Sequence, residues 1–243
     1  MTRLLPTVDA DGPTQMAWDE ALLDTTPGTV CRLYRWRPPA VSLGYFQAAA
    51  PIIAALPVSM PVVRRITGGG AIWHEHEVTY CLAGELGRDG LPERVRDCYP
   101  LLHGAVLAAL ALRGAPLDRQ DTSVGDRRYR DEPRCFASPA TDDLIHTAGG
   151  KVLGSAGRVR GRRVLIHGSL KLASNPWDGD AVAGCGLTWD DAADCLREAI
   201  AAALGTQLTP DEPTSAETLT MERIRRERYS DQRWVLERIG PRA

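Results

Sequence analysis

Strand-like and helix-like segments occur along this chain without regular β-α alternation, and that ordering limits the folds open to it. VCRLYRW (30–36) and AVSLG (40–44) have strand composition, parted by the turn Arg37-Pro38-Pro39. A short strand at 61–65 runs into Gly68-Gly69-Gly70, and GAIWH and EVTYCLA continue as strand. DLIHT, GKVLGSA and RRVLIHGSLKL follow later as a second group. Helices are expected from Asp11-Gly12-Pro13, with the proline in the first turn, and over 92–113, where Pro100 must sit early or kink the helix. Another starts at the capping-box-like Thr188-Trp-Asp-Asp191 and stops at Gly205, and a last one lies near 215–230. Strands grouped in this way favour an α+β fold over a doubly wound sheet. Residues 117–134 are polar and aperiodic and read as a long surface loop.

The 243 residues suffice for one domain with a sizeable core, and residues 1–243 are read as one catalytic domain with a helical tail from about 215. Lys plus Arg total 29 against 31 Asp plus Glu, so charge gives no reason to expect nucleic acid. No apolar run approaches the roughly 18 residues that span a bilayer, and no membrane association is expected. The N-terminal stretch turns polar and prolyl too early for a secretory signal, which places the protein in the cytoplasm. The six cysteines contain no CxxC pair, and in a reducing compartment they are free thiols.

Three clusters could carry chemistry. In Arg64-Arg65-Ile66-Thr67-Gly68-Gly69-Gly70 the glycines expose backbone N–H groups to a ligand, and the arginines supply positive charge for a phosphate or carboxylate. Glycine without a following Gly-Lys-Ser/Thr is not a Walker loop. Gly150-Lys151-Val152-Leu153-Gly154-Ser155-Ala156 projects one lysine from an apolar strand. His167-Gly168-Ser169 again permits close approach. His74 and His76 would share a strand face, but no further ligands are apparent and no metal site is expected; His74 is assigned to the ligand site and His76 to solvent.

With these clusters in this order, and with SLGYFQ, HEVTYC, Arg134-Cys135-Phe136, DDL and the tail ERIRRERYSDQRW, nearly the whole chain resembles the lipoate-protein ligase and octanoyltransferase family. The resemblance implies a catalytic domain like those of biotin synthetases and class II aminoacyl-tRNA synthetases, with mixed, largely antiparallel sheets flanked by helices. The glycine-arginine loop of biotin ligases is absent, which disfavours biotin transfer. Ligases of the family activate a free acid with ATP and Mg; transferases take an acyl group from a carrier thioester through a cysteine and require no cofactor. Cys135, sixteen residues before Lys151, resembles the nucleophile of one octanoyltransferase group, and Cys185, in Gly-Cys-Gly, that of another. Cys135 is preferred because its flanks match too, and Arg127, Arg128, Arg130 and Arg134 would favour its thiolate. Lys151 would stabilise that thiolate and polarise the carbonyl, while Gly68, Gly69, Gly70, Gly154, Ser155 and Ala156 wall the acyl tunnel. Arg64, Arg65, His74, His167, Gly168 and Ser169 complete the expected substrate site. The expected donor is octanoyl-acyl carrier protein, and the acceptor a lipoyl domain or glycine-cleavage H-type protein. The alternatives are an ATP-dependent lipoate ligase and a non-catalytic acyl- or nucleotide-binding module.

Overall fold

The computed structural model describes residues 1–122 and 132–239. Two short strands, β1 (Thr2–Leu4) and β2 (Val8–Ala10), lead to helix α1 (Gly12–Thr25). The Asp11 carboxylate caps α1 by accepting from the Thr14 N–H, and Pro13 occupies the first turn. Strands β3 (Thr29–Trp36) and β4 (Ala40–Leu43) follow, then helix α2 (Ala49–Ala54) and strands β5 (Val62–Arg64), β6 (Ile72–His74) and β7 (Glu77–Glu85). Helix α3 (Val95–Ala111) precedes β8 (Leu117–Arg119), β9 (Leu144–His146), β10 (Lys151–Arg160) and β11 (Arg163–Lys171). Thr188 caps α4 (Trp189–Leu204), and Gly205 ends it in the left-handed conformation at φ 61°. The chain closes with β12 (Leu208–Pro210), α5 (Ser215–Ile224) behind a Thr214/Glu217 capping box, a π-helical turn (Arg225–Tyr229) and α6 (Gln232–Glu237).

Among the described residues one sheet runs β12-β1-β3-β7-β11-β10-β9-β8, with β2 also beside β3, and a smaller one runs β5-β4-β6. From β3 to β8 every pairing is antiparallel, whereas β12, β1 and β2 join in parallel. The expected α+β class with largely antiparallel sheets is what the chain forms. Alternation along the central strands sorts side chains to two faces. Val164 and Ile166 pack with Leu102 of α3 and Leu196 of α4, while Leu165 packs with Leu22 of α1 and Trp234 of α6.

Three differences from the sequence reading have local causes. Leu117–Arg119, expected in a loop, is an edge strand whose one buried residue, Leu117, gives too short a pattern to register as periodicity. Strand β12 forms only against β1, 206 positions away in register, so local sequence cannot announce it. Leu112, inside the helix expected over 92–113, follows the end of α3 and is 88% exposed. No helix among the described residues is long and apolar enough to cross a membrane.

Candidate active site

The glycine loop leaves β5 and crosses to β6. Arg65 folds back over it, donating to the carbonyls of Gly68 and Gly70 (both 2.7 Å) and to the Ser42 carbonyl and hydroxyl (both 3.0 Å). Gly69 sits at φ 88°, where an L side chain is strained, and a Cβ there would approach the Arg65 guanidinium at 3.0 Å. The far end of the loop is stitched to the cysteine segment. Ala71 donates to the Pro133 carbonyl at 2.7 Å, and Cys135 donates back to the Ala71 carbonyl at 2.8 Å.

That stitching brings the Cys135 thiol to the first residue of β10. The Lys151 ammonium lies 2.7 Å from Asp143 Oδ2, 3.6 Å from Cys135 Sγ and 3.5 Å from the Cys135 carbonyl. These three neighbours match the three protons of an ammonium. Asp143 is itself fixed by the Ala140 N–H, and the Phe136 ring lies 4.9 Å from Nζ. Lys151 and Asp143 are both buried, so the ion pair is shielded from screening by salt. Gly154 is necessary to this arrangement: a Cβ there would stand 2.4 Å from Lys151 Nζ.

Both groups open onto a cavity of about 350 Å³, a size suited to a small ligand. Met16, Tyr34, Trp36 and Ile72 supply apolar wall, and Arg65, Gly68, Gly69, His74, Gly154, Ser155, Ala156, His167, Gly168 and Ser169 also border it. The glycine loop, the lysine strand and the His-Gly-Ser strand therefore converge. Arg64 does not join them. Its buried guanidinium donates to the carbonyls of Gly44, Tyr45, Gln47 and Val235, so it clamps α6 to the loop after β4 instead of meeting a ligand. Burial lowers its pKa to about 10. Gly70 contributes its carbonyl to Arg65 and does not border the cavity.

Three hydrogen-bonded histidines line the walls. His74 stacks on Trp36 with centroids 3.8 Å apart, donates to Glu77 at 2.7 Å and accepts from Ser42 at 2.7 Å. Burial lowers its pKa to about 4, against the opposing pull of Glu77. Glu77 is buried, yet Lys171 at 2.6 Å and His74 hold its carboxyl far below the usual range. Ser169 and Thr79 also donate to it. His167 donates to Asp19 and accepts from Thr67, both at 2.7 Å. Burial pushes the Asp19 carboxyl up, and Arg32 and His167 more than offset that. His103, on α3, donates from Nδ1 to the Asp142 carbonyl and accepts at Nε2 from Ser155 Oγ, both at 2.6 Å.

The other expectations land elsewhere. Cys185 packs in the main hydrophobic cluster with Cys195 and does not border the cavity; burial raises its pKa. His76 has φ 51° between β6 and β7, so it and His74 do not share a continuous strand. Arg134 is paired with Glu132 at 2.7 Å and donates to the Trp177 carbonyl, whereas Lys151 is in contact with Cys135. Arg127, Arg128 and Arg130 lie outside the described residues. Asp19, Glu77, His103 and Asp143 were not singled out from sequence. Asp143 and Glu77 had a signal, as parts of the Asp-Asp-Leu segment ahead of Lys151 and of HEVTYC.

Residues 11–199 match the model of the lipoyl protein ligase A/B catalytic domain. The chain is 38% identical over 189 residues to octanoyltransferase LipM of Moorella thermoacetica, covering 74% of this chain and 68% of that protein. It is 30% identical over 268 residues to octanoyltransferase LipM of Kyrpidia tusciae, covering 95% and 97%. Among solved structures, a lipoate-protein ligase A bound with ATP superposes with a TM-score of 0.80 at 19% identity, covering 98% of this chain and all of that one (100%). A bipartite lipoate protein ligase from Thermoplasma acidophilum, described together with its E2 lipoyl domain, gives 0.78 at 19% identity, covering 100% and 98%. At these identities the two structures establish a shared fold.

Proposed function

The chain belongs to the lipoyl protein ligase A/B catalytic domain family, and we propose that Cys135 is the nucleophile through which it works. It is an acyltransferase of lipoate biosynthesis, an octanoyltransferase like the relatives it matches. The observation that carries the choice of residue is the Lys151 ammonium 3.6 Å from Cys135 Sγ at the cavity wall. A cation in contact with the sulfur stands where negative charge develops as that sulfur attacks or departs. Asp143 holds the Lys151 ammonium in place at 2.7 Å.

The reaction then has two steps. The Cys135 sulfur attacks the octanoyl thioester of an acyl carrier protein, and the carrier thiol leaves with the cysteine's proton. The amine of a lysine on a lipoyl domain, or on a glycine-cleavage H-type protein, next attacks the acyl-enzyme. An amide forms and Cys135 departs. Lys151 stands where negative charge develops on sulfur and on the carbonyl oxygen. The apolar wall formed by Met16, Trp36 and Ile72 takes the acyl chain, and Gly69 lets it approach the backbone. The donor thioester already carries the activation, so this route requires no cofactor.

The test is turnover. Octanoyl-acyl carrier protein without nucleotide should octanoylate a lipoyl domain, read as one added octanoyl group in the mass of that domain. Modification that instead demands free octanoate or lipoate with ATP and Mg would identify a ligase.

A further inference from the structure

The acceptor lysine presents a chemical problem in the second half-reaction. Its ammonium has an ordinary pKa of about 10.4, and it must lose a proton before nitrogen can attack. Lys151 is engaged with Asp143 at 2.7 Å and with Cys135 Sγ at 3.6 Å.

A polar chain on the cavity wall has the connectivity to take that proton. His103 Nδ1 donates to the Asp142 carbonyl, which leaves Nε2 as an acceptor, and Ser155 Oγ donates to it at 2.6 Å. Tyr80 donates to the same Ser155 oxygen at 2.6 Å. A hydroxyl has one proton and two lone pairs. The proton and one lone pair are thus engaged, and the second lone pair has no hydrogen-bond partner among the described residues. Ser155 is half-buried and borders the cavity. Across the ladder its partner is Gly168, where a Cβ would lie 2.4 Å from Ser155 Oγ, so glycine keeps the hydroxyl uncovered. Ser155, Lys151 and Cys135 border the same cavity.

Building on the assignment of Cys135, we infer that Ser155 receives a proton from the incoming lysine while passing its own to His103, so that the Ser155–His103 pair activates the acceptor in the second half-reaction. The protons balance. The ammonium gives one proton through Ser155 to His103 Nε2, and from there to solvent. The neutral amine attacks the octanoyl carbonyl, the C–N bond forms, the C–S bond breaks, and the remaining surplus proton goes to the departing Cys135 sulfur. Ser155 touches substrate and is the catalytic group; His103 is the positioning residue behind it. The groups that face His103 are the Asp142 carbonyl and carboxylate, the Asp143 carboxylate, the Lys151 ammonium, Ser155 and the Tyr99 ring. Burial lowers the pKa of His103, which keeps it neutral and able to accept at pH 7.

The experiment separates the half-reactions in the full chain. His103→Gln and Ser155→Ala are acylated with octanoyl-acyl carrier protein, isolated, and challenged with either a lipoyl domain or hydroxylamine, which is already unprotonated at neutral pH. Transfer to lysine should fall by roughly 10²-fold more than acylation does, the scale of lost proton-transfer catalysis. The defect should shrink as pH is raised toward the lysine pKa, and hydroxylamine should deacylate variant and parent at similar rates. Equal slowing of lysine and hydroxylamine, or of both half-reactions, would show a structural role and overturn the inference. Ser155→Ala guards against misfolding of His103→Gln, because its adduct reports an intact site. Absence of any adduct on the unsubstituted protein would instead refute the assignment of Cys135.

Discussion

Gly154→Ala tests whether the position of Lys151, and not merely its presence, is what the reaction needs. The substitution adds one carbon at a point 2.3 Å from Lys151 Cε and 2.4 Å from Nζ. Real Cβ atoms do not approach other atoms so closely, so one group must move. Gly154 does not have a positive φ, so alanine brings no backbone strain of the left-handed kind. The yielding group is the end of the lysine side chain, which swings away from Asp143 at 2.7 Å and Cys135 Sγ at 3.6 Å. One positioned electrostatic stabiliser is worth about 3–4 kcal/mol in such sites. Each 1.36 kcal/mol is about tenfold in rate, so kcat/KM for octanoyl transfer should fall by roughly 10²–10³-fold. Stability should fall by less than the ~3–5 kcal/mol that follows removal of one partner of a buried pair, since both charges remain. Steady-state kinetics and urea unfolding on the same preparation measure the two effects. A folded Gly154→Ala protein with kcat/KM within about threefold of its parent would refute the claim that Lys151 acts from this position.

Gly69→Val should abolish transfer with a smaller stability loss, because the side chain meets Arg65 at 3.0 Å and occupies a φ of 88°; near-normal turnover of the folded variant would contradict it. Arg64→Met should leave the carbonyls of Gly44, Tyr45, Gln47 and Val235 short of a donor and cost about 3 kcal/mol or more in urea unfolding. A large rise in KM without loss of stability would instead return Arg64 to the substrate site. Stability should also fall between pH 7 and 5. His74 has its pKa lowered from 6.5 to about 4, so the unfolded chain binds the extra proton in that window, and the folded state loses about 2 kcal/mol from this group. Lowering of the His103 pKa acts in the same direction, while Glu77, with its carboxyl held low, loses its contribution only below the ordinary glutamate pKa of about 4.5. A flat urea midpoint from pH 7 to 5 would contradict the buried neutral histidines.

What sequence could reveal followed the range of the interactions. The caps at Asp11 and Thr188 and the stop at Gly205 are local, and they were readable to within a residue. Strands β3, β7, β10 and β11 carry long buried runs and were likewise visible. Strand β12 and the short helix α2 depend on distant partners and were not expected. At the site, the glycine loop was legible from three glycines in succession, of which Gly68 and Gly69 border the cavity and Gly70 does not. The charge partners were not. Asp19 lies within α1, where nothing in the local sequence marks its carboxylate as buried until Arg32 and His167 are brought against it. His103 likewise sits in an apolar helix and gains meaning only from Asp142 and Ser155, 39 and 52 residues away. Arg64 shows the reverse error: two adjacent arginines invite an anion, but successive residues of a strand face opposite ways, and only Arg65 reaches the cavity.

Intact-protein mass spectrometry after incubation with octanoyl-acyl carrier protein alone, followed by peptide mapping, tests the assignment of the nucleophile most directly. The enzyme should gain one octanoyl group on Cys135, hydroxylamine should remove it, Cys135→Ser should form none, and Cys185→Ser should still form it. An adduct that maps to Cys185, or full transfer activity in Cys135→Ser, would contradict the role given to Cys135.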